Sequence, residues 1–153
     1  MVNVTVRLED GYKTLIETRN VTAVADEPLE EGGTNLGPTP RELLLGALGA
    51  CAAITARMYA LRKGWALEGV EVSVSMDKLK AADYPGYTGS SENVNEFRQM
   101  IHFKGDLTDE QRERLLQIAG KCPVHRILMD DNIIIEELLT DEMVFPAEED
   151  HIG

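Results

Sequence analysis

At 153 residues and 43% hydrophobic content, the chain is long enough for one domain with its own core. A net charge of −12 argues against nucleic acid and anionic membranes as partners. The longest uncharged stretch, residues 43–56, is 14 residues long and too short to span a bilayer. The start, MVNVTVRLED, lacks the basic stretch and apolar run of a secretory signal, so a cytoplasmic setting is expected.

Val2, Val4, Val6 and Leu8 alternate with polar residues, and Asp10-Gly11 follows. That pattern predicts a hairpin closed by a type I′ turn and returning over 12–18. A third short strand is expected over 20–25. Residues 26–38, with three Gly and two Pro, read as a loop. Thr39-Pro40-Arg41-Glu42 has the form of a capping box with proline at the first helical position. The helix it opens should run to Lys63, ahead of Gly64. Between Leu43 and Ala56 this helix is uncharged on every face. A helix apolar all round must be covered all round, and one small sheet covers one side only. The remaining cover is expected to be a second subunit.

Val70, Val72, Val74 and Met76 alternate as a strand, residues 78–96 read as an irregular functional or disordered stretch, and 97–104 resume as a strand. Thr108 with Gln111 caps another helix, ending near Gly120. Pro123–Met129 reads as a short helix and Ile133–Ile135 as a buried strand. The acidic tail from about residue 146 reads as loose. The order βββ-α-ββ-αα-β, grouped around one long helix, gives an α+β class in a single domain, residues 1–153.

The chain has two cysteines, and their contexts differ. Cys51 lies in the apolar helix, and Cys122 precedes Pro123 at a helix start. There the dipole favours thiolate. Two readings stand side by side: a redox pair, or a buried core cysteine and a cap-position cysteine. A cytoplasmic setting favours a transient disulfide over a permanent one. Cys122-x-x-His125 has the i, i+3 spacing of half a metal site, but only His102 and His151 remain, short of the four ligands of structural zinc. Tyr84, Tyr87 and Phe97 read either as an apolar mouth or as loop anchors. Leu44, Leu48, Thr55 and Met58 share the Cys51 helical face.

The blocks GPTPRELLLGALGAC, ITARMYALRKGW and AGKCPVHRIL, with the cysteines 71 residues apart, resemble the OsmC/Ohr family of osmotically inducible and organic-hydroperoxide-resistance proteins, in its broader OsmC-like branch. The resemblance implies an intertwined homodimer with two long helices at its centre. It also implies a thiol peroxidase without metal or organic cofactor. Cys51 would match the peroxidatic cysteine and Cys122 the resolving one, with a lipoyl-type external dithiol as reductant and an organic hydroperoxide as substrate. The alternative is an OsmC-like redox sensor or scaffold binding a small apolar ligand.

The family activates its nucleophile with an arginine from the early strands, held by a glutamate ten residues before the cysteine. Here that position is Arg41. Glu42, nine residues before Cys51, lies about 180° away on a regular helix, and Arg41 about 80° away. Glu42 reaches Cys51 only if the first turn is distorted. Otherwise Arg41 is itself the cation, paired with Glu42 or Asp26 across a dimer. Arg19 is the strand-edge candidate for the family's arginine.

Overall fold

Of the alternating apolar residues at the N-terminus, Val6 and Leu8 lie in a strand, while Val2 and Val4 precede it. In the computed structural model, which describes residues 2–140, β1 spans Thr5–Leu8, β2 Thr14–Thr18 and β3 Val21–Ala25. They form an antiparallel sheet in that order. The first turn is not the expected type I′. Leu8 pairs with Thr14, so residues 9–13 make the connection, and among them only Gly11 has positive φ, 59°. A type I′ turn needs positive φ at both central residues. The tight connection is the second one: Thr18 pairs with Val21, and Arg19 between them takes a φ of 54°. Val6 faces the same side as Ile16 and Ala23. Val6 and Leu8 on that face remain 57% and 55% exposed.

Residues 2–39 form one compact unit together with 132–140. Within it, Asp26 organises the loop after β3. Its carboxylate is 1% exposed and accepts from the backbone N–H groups of Glu27 at 2.8 Å, Thr34 at 3.3 Å and Leu36 at 3.2 Å. The Thr34 hydroxyl donates to it at 2.5 Å. That hydroxyl is the largest cause of a pKa lowered from 3.8 to about 2, working against burial and with the three N–H donors. Donors aimed at a carboxylate favour its charged form. Both of its oxygens are engaged within its own loop. The expected strand at Ile133–Ile135 is absent: the segment is irregular, and its three isoleucines are 77–89% exposed. A continuous β-branched run favours extended chain, but a strand also needs an edge to pair with and cover on both faces.

The second unit, residues 40–131, is built on α1, Pro40–Lys63, with the ends the sequence set. By length and composition α1 is able to cross a membrane. A count of uncharged residues alone misses this, because the helix extends beyond the run at both ends. One face of it packs into a core: Ala52, Ala56 and Ala60 are at most 1% exposed, in one cluster with Leu67, Phe103, Leu115 and Ala119. The cover comes from an antiparallel hairpin, β4 (Ala66–Lys80) and β5 (Asn93–Asp106), and from α2 (Asp109–Ala119) and α3 (Pro123–Met129). The capping box at Thr108 and Gln111 is formed in both directions.

The hairpin is longer than expected. Leu79 pairs with Val94 and Lys80 with Asn93, so the irregular stretch shrinks from 78–96 to 81–92. Charged and polar residues at 77, 78, 93, 95 and 96 hid the strand pattern, but a two-stranded ribbon exposes one face and tolerates them there. At its other end a bulge between Leu67 and Gly69 lies beside Gly105, whose φ of 134° is open only to glycine. Two arginines fasten this end. Arg57 donates to the carbonyls of Leu67 and Glu68, and Arg112 to those of Phe103 and Gly105. The order among described residues is therefore βββ-α-ββ-αα. The α+β class stands, and the acidic tail from about 146, with His151, lies outside the described residues.

Because the folded pKa of Asp26 is depressed, its contribution to stability is present above pH 3.8 and is lost as pH falls toward 2. Asp26→Asn should be less stable than the native chain in urea at pH 6, and the gap should close as pH approaches 2. A gap that stays constant over that range would refute this account of the loop.

Candidate active site

Helix α1 presents Cys51 about midway along its length, where close packing sets the helix against the hairpin. Gly49 makes that approach possible: a β-carbon there would sit 3.0 Å from Val74 Cγ2 and 3.6 Å from Val72 Cγ1. Helix α3 packs on α1 as well, and its start brings Cys122 to Cys51. The Cys51 thiol lies near enough to act on the Cys122 thiol electrostatically. Both cysteines are free; Cys51 is half-buried and Cys122 is 0% exposed. Residues 71 apart in sequence thus become neighbours, which no spacing rule supplies.

Cys122 is the cap residue of α3, and its Sγ accepts from the His125 backbone N–H at 3.4 Å. The expectation of a thiolate stabilised by the helix start is overturned. Burial pushes the thiol up from its ordinary value of 9.0. The N–H groups of His125 and Val124 pull it down by less, and the neighbouring Cys51 raises it further. Desolvation of a sulfur anion outweighs two weak donors, so Cys122 carries its proton at neutral pH. His125 contributes its backbone N–H to this site.

Glu42 and Arg41 stand in the first turn of α1, and Arg19 belongs to the first unit. Helix α1 is unbroken from Pro40, so no distorted first turn swings Glu42 toward Cys51. The two stay on opposite faces, about 14 Å apart along the axis. Glu42 instead lines an open groove of about 290 Å³ with Leu45, Gly46, Gly49, Ala50, Val72 and Val74. Arg41 is exposed in the first turn, and Arg19 is exposed in the β2–β3 turn. Tyr87 anchors its own loop, its hydroxyl accepting from the Ser91 N–H at 3.1 Å. Phe97 sits opposite Met76 in the hairpin. Among the described residues no group of three His, Cys, Asp or Glu is placed to hold a metal ion.

The profile of the OsmC-like protein family matches residues 33–137, which include both cysteines. Solved structures share the fold. One is the OsmC like protein from Mycoplasma pneumoniae, with a TM-score of 0.67 at 18% identity, covering 84% of this chain and 87% of that one. A second is the organic hydroperoxide resistance protein OsmC from Legionella pneumophila, with a TM-score of 0.56 at 19% identity, covering 82% and 88%. A third is the organic hydroperoxide resistance protein OhrB of Bacillus subtilis, with a TM-score of 0.54 at 18% identity, covering 83% and 89%. No curated protein matches the chain.

The difference in exposure predicts ordered alkylation. Iodoacetamide at pH 7 should label Cys51 first, with Cys122 at least about a hundredfold slower, as read by peptide mapping over time. Equal rates at the two sulfurs would contradict the burial and protonation described here.

Proposed function

The chain belongs to the OsmC-like protein family, and on that premise we propose that it is a thiol peroxidase that reduces organic hydroperoxides. The observation that carries the reading is the proximity of the half-buried Cys51 to the buried, protonated Cys122. The substrate class rests on the relatives named for organic hydroperoxide resistance.

The steps use only the two sulfurs. The Cys51 thiolate attacks the terminal oxygen of the hydroperoxide. The O–O bond breaks, an S–O bond forms, and the alkoxide leaves as the alcohol after taking a proton; sulfur is oxidised to sulfenic acid. The Cys122 sulfur then attacks the Cys51 sulfur. An S–S bond forms, and hydroxide leaves with the Cys122 proton as water. A resolving thiol that keeps its proton until this step supplies that proton in place. An external dithiol, lipoyl-type by family resemblance, returns both sulfurs to thiols by exchange. A reducing cytoplasm suits a disulfide that must be reopened.

A homodimer belongs to the same proposal. Leu44, Ala47, Cys51, Ile54, Met58 and Leu61 recur at three- and four-residue spacing on α1, the pattern of a helix seam. Ile54, Met58 and Leu61 are 59–69% exposed. A second copy covering this stripe would place Cys51 at the interface. An apolar stripe of this size is otherwise a liability in water. In a dimer, Arg41, Glu42 and Arg19 are the candidates to supply the activating cation and its carboxylate.

The second reading, a redox sensor or a scaffold for a small apolar ligand, is favoured by one feature: Arg41 stands where the family has its glutamate. The readings separate on turnover, since a sensor forms its disulfide slowly and is not recycled at catalytic rates.

One equivalent of tert-butyl hydroperoxide on the reduced protein should remove two hydrogens per chain by intact mass and consume both thiols. Cys51→Ser should prevent this, and Cys122→Ser should gain oxygen and overoxidise. An unchanged mass with two free thiols would move the assignment to the scaffold. In a separate measurement, sedimentation of Ile54→Glu should show a monomer where the native chain sediments as a dimer. A native monomer would reject the seam.

A further inference from the structure

Tyr59 lies eight residues after Cys51 on α1, about 12 Å along the axis, and is the hub of a cluster the thiol chemistry does not use. Its ring meets Trp65 edge-on, with centroids 5.5 Å apart and planes at 72°. Three cations surround the same ring: Arg62 Cζ lies 5.9 Å from its centroid, Lys63 Nζ 5.6 Å and Arg114 Cζ 5.5 Å. Arg62 and Lys63 come from the end of α1 and Arg114 from α2, so tertiary packing assembles the set. Arg114 Nε donates to Tyr59 Oη at 3.2 Å, and its Nη1 donates to Gln117 Oε1 at 3.2 Å.

Cations at a helix end have an ordinary reason to be there, since they offset the dipole. That reason covers Arg62 and Lys63 but not Arg114. Ion pairs among the described residues join Arg7 to Glu17, Arg98 to Glu96, and Glu71 to His102 and Lys104. None involves the three cations around Tyr59, in a chain with 27 acidic and 15 basic residues. Glu110, one turn before Arg114 on α2, does not neutralise it. All three cations are exposed, so their charges are open to a ligand.

We propose that Arg62, Lys63, Arg114 and the Tyr59 hydroxyl form a binding site for a dianionic phosphoryl group, with Trp65 at its edge. Two guanidinium forks and an ammonium match a tetrahedral dianion with several acceptor oxygens better than a single carboxylate. The Tyr59 oxygen accepts from Arg114, which leaves its hydrogen to donate to the ligand. The cations already hold the Tyr59 pKa below its ordinary value, with the Arg114 bond the largest cause. A bound dianion reverses that influence. The source of the group is either free phosphate or a phosphate ester, and the two differ in what they offer the aromatic edge.

Trp65 is the only tryptophan, so its fluorescence reports on this cluster alone. Inorganic phosphate and phenyl phosphate are titrated separately into the reduced chain. A saturable change with both assigns the site to the phosphoryl group itself; a change with phenyl phosphate alone assigns it to an ester. Lys63→Gln, exposed at the helix end, should weaken binding roughly tenfold, as should Arg114→Gln. Added salt should weaken it further, and Tyr59 should ionise at higher pH with ligand bound. Absence of a saturable change up to about 10 mM, equal affinity in the well-folded Lys63→Gln variant, or binding of a glutamate-rich peptide while both phosphates fail would overturn the assignment. The proposal is independent of the peroxidase reading. Cys51→Ser should bind as the native chain does, and failure of either leaves the other standing.

Discussion

The close approach of α1 to its neighbours is the constraint on which the rest of the second unit depends. Ala52, Ala56 and Ala60 lie a turn apart on one face, and their small side chains let Phe103, Leu67 and Leu115 sit against the helix. Gly49 continues that approach toward Val72 and Val74. Larger residues on this face would push the hairpin and α2 outward by the width of a side chain, and close-packed interiors do not absorb such changes freely. Arg57 and Arg112 then donate to the carbonyls around the bulge and tie the hairpin to the helices.

The thiol pair inherits its chemistry from this packing. A helix start and a buried position act on a cysteine in opposite directions, and the outcome depends on their sizes. At Cys122 the donors are two backbone N–H groups on a large, weakly accepting sulfur, at a helix of seven residues. The opposing effect is the removal of a potential anion from water, and it is the larger. A helix start therefore does not by itself mark the nucleophile. The two cysteines divide into an accessible thiol and a protected, protonated one, an arrangement suited to sequential work by two sulfurs.

Several apolar surfaces lack cover within their own unit. The α1 stripe through Ile54, Met58 and Leu61 is one, and the sheet face through Val6 and Leu8 is another. Each has the period of its own element, three to four residues on the helix and two on the strand. Periodic apolar exposure of this kind differs from isolated exposed leucines, which are ordinary.

Much of the architecture was legible in the residues themselves. Pro40 and Gly64 bracket α1, Thr108 with Gln111 opens α2, and Pro123 opens α3, because each signal acts on the backbone within one turn. The alternating valines marked β1 and the core of β4 for the same local reason. The family blocks placed both cysteines within a recognisable frame. Tertiary structure alone decided the rest. Leu79 and Val94 extend the hairpin because each strand supplies the other's hydrogen bonds. Asp26 is claimed by Thr34 and its loop, and Ile133–Ile135 gain no strand partner despite strong propensity. Arg114 reaches Tyr59 from 55 residues away, and Cys122 meets Cys51 only when α3 packs on α1. Local rules set which backbone conformation a residue prefers; which distant group it meets, and hence its charge state and accessibility, depends on how the elements pack.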